Sequence, residues 1–146
     1  MQETLTTQFE LSTQKTFKNA VVATVNGQPH TAVVAATGSY ITINEFKEIF
    51  NFIGELAQRL KLTKLVFDKR QLKVFHQPSM EWYFIEWKEQ MFDIGLRTHR
   101  KILPTDKVFQ QSVKIGRQSI AEKHPNGKYK QMDIAYAGSL DEAIAQ

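Results

Sequence analysis

The stretch from Pro78 to Leu96, PSMEWYFIEWKEQMFDIGL, constrains the fold more than any other in this 146-residue chain. Pro78 and Ser79 form a helix-start signal, and no further proline occurs until Pro104. At about 100° per residue, Met80, Tyr83, Phe84, Trp87, Met91 and Ile94 share one broad face, which is the expected core stripe. Trp82, Ile85, Phe92 and Leu96 gather on nearly the opposite side. Glu81 and Lys88 on one flank, and Glu86, Gln90 and Asp93 on the other, separate the two stripes. A surface helix needs one apolar face, and this one has two. The second has to meet another part of the chain, a ligand or a second protein molecule, because a large exposed apolar patch is uncommon on a monomer.

Around this helix the length suits a single domain over residues 1–146, and the absence of cysteine excludes a disulfide scaffold. The start, MQETLTTQFE, has neither a basic nor an apolar leader region. No stretch of about 18 apolar residues occurs, so no transmembrane segment is expected and the expected location is the cytoplasm. The net charge of +4 favours acidic partners only mildly.

Leu5, Thr7, Phe9 and Leu11 alternate as in a strand with one buried face. Ala20–Val25 and Thr31–Ala36 are two further strands, joined by the turn dipeptide Asn26-Gly27. Thr42, three residues before Glu45, forms a possible capping box, with Asn44 as the alternative cap. Beyond it Phe46, Ile49, Phe50, Ile53, Leu56, Ala57 and Leu60 keep helical spacing. LTKLVFD reads as an interior strand. After the Trp-rich helix, Arg97–Lys101 is a basic cluster and Ile102-Leu103-Pro104 a short strand ending at the proline. Thr105 or Asp106 caps a helix with Phe109, Val113, Gly116 and Ile120 on one face. His124-Pro125-Asn126-Gly127 breaks it, Gln131–Ala137 is a last strand, and Ser139 opens a short terminal helix. Alternation of this kind predicts an α/β fold with a mixed, mostly parallel sheet of about five strands and helices packed on it.

That order, with KLTKLVFDKRQL before the Trp-rich helix, then RKILP and a closing strand leading into SLDEAIA, resembles the SpoIIAA-like (STAS-type) domains over roughly Ala20 to Ala145. The resemblance implies helices on one side of a mixed sheet and a ligand- or protein-binding module that is not an enzyme. The similar branch is an uncharacterised bacterial set, some of which are compared with CRAL-TRIO-type lipid-binding domains. In the family's anti-sigma-factor antagonists a phosphorylatable serine follows an aspartate after the central strand. Asp68-Lys69-Arg70-Gln71 contains no serine or threonine, so that switch does not carry over, and Ser79 reads as a plain helix cap.

The residues themselves argue little chemistry. His30, His76, His99 and His124 show no metal-binding spacing, so no metal or other cofactor is expected. There is no Gly-rich phosphate loop and no GxSxG elbow. Asp68 ends an apparently buried strand, where ligands of open α/β sheets bind, so Asp68, Arg70 and His76 are the candidate ligand-binding residues. An Asp68–Arg70 pair is the structural alternative. Nucleic acid is the weakest partner, since no aromatic interleaves with the basic residues. The leading expectation is a non-enzymatic interaction module, a homodimer or a binder of another protein, associating through Trp82, Ile85, Phe92 and Leu96. Its alternative is a carrier of a small apolar or lipid-like ligand with an anionic head. An enzyme using Asp68 and His76 ranks last.

Overall fold

Three antiparallel strands begin the sheet: β1 (Leu11–Thr16), β2 (Ala20–Val25) and β3 (Gln28–Ala36). They belong to a computed structural model that describes residues 7–146. Between β2 and β3, Gly27 takes φ +87°, the positive value a tight hairpin turn requires and that glycine adopts without Cβ strain. The expected first strand over Leu5–Leu11 is displaced towards the C-terminus. Leu5 lies outside the described residues, Thr7–Glu10 is irregular, and pairing with β2 starts at Leu11. β1 is a largely exposed edge strand, so burial imposes no alternation on its sequence.

The chain then alternates: α1 (Ile43–Leu60), β4 (Lys64–Asp68), α2 (Gln77–Trp82), a π-helical turn (Tyr83–Trp87), α3 (Lys88–Asp93), β5 (Thr98–Ile102), α4 (Lys107–Lys123), β6 (Asp133–Tyr136) and α5 (Leu140–Ala145). β3 to β6 are parallel neighbours in sequence order, which completes a six-stranded mixed sheet rather than one of about five strands. Right-handed crossovers between successive neighbours place the intervening helices on one face. The main core lies there, with Val22, Val34, Leu65 and Phe67 of the sheet against Phe50, Ile53, Tyr83 and Trp87. A smaller core covers the other face, where Leu140, Ala143 and Ile144 of α5 meet Val33, Val66 and Ile102.

The helix signals act as read at α1 and α4. Thr42 Oγ1 accepts from the Glu45 N–H at 3.2 Å, but the Glu45 carboxylate does not close a capping box. It accepts from the Asn19 N–H and from Asn19 Nδ2, both at 2.8 Å, and so ties α1 to the turn before β2. Asp106 caps α4 by accepting from the Val108 N–H, and the helix buries the expected Phe109, Val113, Gly116 and Ile120.

Two further expectations fail, for physical reasons. The helix after Gln77 is not one straight α-helix. The Lys88 N–H bonds to the Tyr83 carbonyl, an i→i+5 link that adds a residue to the turn. On a straight wheel Lys88 falls about 140° from Tyr83, on the solvated flank; here it stacks above Tyr83 and is fully buried. Leu96, assigned to the outer stripe, lies beyond the end of α3 and is also fully buried. The second failure is β5. Pairing with β4 runs from Lys64↔Thr98 to Asp68↔Ile102, so the strand is THRKI and not Ile102–Pro104. His99, Arg100 and Lys101 of the basic cluster are therefore inside the protein and not among solvated charges.

Candidate functional site

A pocket opens beyond the carboxyl end of β4, where ligands of parallel sheets characteristically bind. Six parts of the chain build it. Ile41, just before α1, and Phe46 within it come first, then Phe67 from β4, Leu72, Val74 and Phe75 from the loop after β4, Met80 from α2, Tyr83 from the π-helical turn and Phe109 from α4. The loop is held by the Lys73 N–H, which donates to the Ser39 carbonyl at 2.8 Å. The lining is mostly apolar, with four polar side chains: Lys69, His76, Ser79 and Tyr83. The cavity volume is about 50 Å³. Since a single water needs about 10–15 Å³, this space suits a few carbons of a short chain or part of a ring.

Lys69 is the cation of the pocket. Its Nζ stands 4.9 Å from the Phe67 ring centroid, and the residue is 8% exposed. No ion pair reaches it among the described residues. Burial, reinforced by the Arg117 guanidinium, lowers its pKa to about 8. His76 and Ser79, at the start of α2, line the same pocket and are linked Nδ1 to Oγ at 2.9 Å. Ser79 is thus not the helix cap. The capping position is His76, whose side chain bonds no backbone N–H, and Pro78 fills the first turn, where a missing donor costs nothing.

Two more amines lie against Tyr83 and Phe84. Lys88 Nζ is 4.6 Å and 4.9 Å from the Tyr83 and Phe84 ring centroids. Lys101 Nζ, entering from β5, is 5.0 Å and 4.5 Å from the same rings. Neither nitrogen has a hydrogen-bond partner, and the Tyr83 hydroxyl and His99 Nδ1 have none either. Burial pushes both amines well below the usual lysine range, and neighbouring cations push the same way: Arg117 and Lys69 on Lys88, and Lys88, Lys69 and Arg117 on Lys101. His99 is also held well below its ordinary value by burial and by Lys88 and Lys101, against a hydrogen bond to the Leu96 carbonyl. Burial raises the Tyr83 hydroxyl.

The residues expected from sequence divide. His76 lines the pocket, whereas Asp68 and Arg70 do not. Asp68 is buried and closed by Arg70, which donates from Nε to Oδ1 at 2.9 Å and from Nη2 to Oδ2 at 2.7 Å. On the outer stripe Trp82, Ile85 and Phe92 are half-buried against the main core. Lys47 Nζ lies 5.8 Å from the Trp82 ring centroid and the Arg97 guanidinium 4.0 Å from that of Phe92. Lys69, Lys88 and Lys101 were not singled out as site residues. Lys101 had a usable signal: the segment between the Gly95 break and the Asp106 cap has to supply a strand as long as β4, and Ile102–Pro104 is too short. Lys88 had none, because an i→i+5 turn leaves no periodic trace in so short a helix.

Comparisons with family models, with curated proteins and with solved structures return no match to this chain.

Proposed function

We propose that this chain is a non-enzymatic binding module for a small amphiphilic anion. The ligand's apolar part occupies the pocket between α1, α2 and the 71–75 loop, and its charged head faces Lys69. The observation that carries this reading is the composition of the pocket: a mostly apolar wall with one buried cation and no acid, at the carboxyl end of a parallel strand. Apolar enclosure with few convergent polar groups is the general form of a small-molecule site. The SpoIIAA-like resemblance points the same way, towards a module that binds and does not react. Self-association through the outer stripe has less support, since Leu96 has no exposed surface and cations lie over Trp82 and Phe92.

Isothermal titration with hexanoate, and with hexanol as its uncharged counterpart, tests the proposal. Hexanoate is expected to bind and hexanol to bind at least tenfold more weakly. Lys69→Met should weaken hexanoate roughly 10- to 100-fold, the range of a hydrogen bond to a charged group, and leave hexanol unchanged. Equal affinity for the two probes, or for wild type and variant with hexanoate, would remove Lys69 from the site.

A further inference from the structure

We infer that Lys69 binds its ligand covalently and reversibly, as an imine with the keto group of a short-chain 2-oxo acid. This rests on the pocket reading and names the chemical class of the anion.

Lys88 and Lys101 are fully buried and line no part of the pocket, whereas Lys69 is one of its walls. Its Nζ stands 4.9 Å from the Phe67 ring centroid, and no ion pair reaches it among the described residues. No lining residue is a carboxylate. Asp68, its neighbour in the chain, is engaged by Arg70 through both Nε and Nη2. An amine in an apolar pocket without a counter-ion is present partly as the free base, the form that attacks a carbonyl carbon. Burial and the Arg117 guanidinium lower the Lys69 pKa to about 8. About a quarter of it is then free base at pH 7.5, against about one part in a thousand for an ordinary lysine.

Nζ bonds to C2 of the acid as the C=O π pair moves to oxygen, and a proton passes from nitrogen to that oxygen. With one more proton from solvent the hydroxyl leaves as water and the C=N bond forms, still carrying a positive charge. No oxidant or reductant takes part. An iminium made from a simple aldehyde would leave a cation in a pocket with no acid, which is costly. A 2-oxo acid brings its own carboxylate on the adjacent carbon. Its alkyl tail takes the cavity of about 50 Å³, which has room for a few carbons. Hydrolysis reverses the bond, so the chain carries the acid without transforming it.

The test uses the full chain at the same pH with sodium cyanoborohydride, which reduces an iminium to a stable secondary amine. The probes are 2-oxohexanoate and hexanal, and the labelled lysines are located by peptide mass spectrometry. With 2-oxohexanoate, Lys69 is expected to be labelled at least roughly tenfold faster than any other lysine, and excess hexanoate to slow that labelling alone. With hexanal the lead of Lys69 over the other lysines is expected to be smaller. A lead with hexanal that equals or exceeds the one with 2-oxohexanoate overturns the 2-oxo acid, and no lead with either probe overturns the imine. Labelling of Lys69 that hexanoate does not slow overturns the shared pocket. If Lys69 has no lead but hexanoate still binds in a Lys69-dependent manner by titration, only the imine falls. If hexanoate does not bind either, the pocket reading falls with it.

Discussion

Replacing Trp87 with alanine is expected to lower the unfolding free energy by about 3–5 kcal/mol, the range for emptying a buried aromatic site. Trp87 is 2% exposed and joins the π-helical turn to α1. Its indole N–H donates to the Phe50 carbonyl of α1 at 2.7 Å. Its ring meets Phe50 edge-on at 5.0 Å between centroids and stacks on Tyr83 at 5.4 Å. Against a typical total of 5–15 kcal/mol, such a loss takes much of the stability. Trp87→Phe keeps most of the apolar area and loses the donor, so a smaller cost of about 1–2 kcal/mol is expected. Urea unfolding followed by the fluorescence of Trp82 measures both. A loss below about 1 kcal/mol for the alanine variant would mean that the π-helical turn does not dock on α1 in this way.

The second large effect is a rise of stability with pH on the alkaline side. Lys69, Lys88 and Lys101 are bases whose folded pKa values lie below the ordinary 10.5. Between its folded value and 10.5 each binds fewer protons in the folded than in the unfolded state, so the unfolding free energy increases with pH across that window. For Lys69 the window runs from about 8 to 10.5, which at ~1.36 kcal/mol per pH unit amounts to about 3 kcal/mol. Lys88 and Lys101, held well below 10.5 by burial, act in the same direction. Tyr83 works in the other direction: its folded pKa is raised above 10.0, so ionisation of the unfolded chain reduces stability above about pH 10. The urea midpoint is therefore expected to climb from pH 7.5 towards pH 10 and then turn over. Lys69→Met should flatten the climb above pH 8. A flat or falling profile between pH 8 and 10 would show that these amines are charged and compensated in the folded protein.

The parts of the fold legible in the sequence are those where burial follows a simple period. α1 and α4 each bury one face, and the same positions are found apolar in the sequence and inside the structure. The β2–β3 hairpin is written in Asn26-Gly27, and Asp106 and Ser139 cap their helices through local bonds. Legibility stops where period and burial separate. β1 lies on an edge, so its exposed residues follow no apolar alternation. The π-helical turn advances Lys88 by one place and buries a residue that a regular wheel assigns to solvent. β5 contains His-Arg-Lys at interior positions, the reverse of what strand propensity and hydropathy select. The two misread lysines are the ones that meet over Tyr83 and Phe84. Asp68 drew notice because a lone carboxylate ends a buried strand, yet its partner stands two residues away in Arg70, and the open polar group is the intervening Lys69.

The most direct test of the account is the pattern of backbone amide shifts when hexanoate is titrated into ¹⁵N-labelled protein. The account predicts saturable changes concentrated at Lys69, Leu72, Phe75, His76, Ser79, Met80 and Tyr83, with the midpoint of the titration moved to at least roughly tenfold higher concentration in Lys69→Met and with hexanol. Changes confined to the outer side of the helix, around Trp82, Ile85 and Phe92, or no saturable change at all, would contradict it.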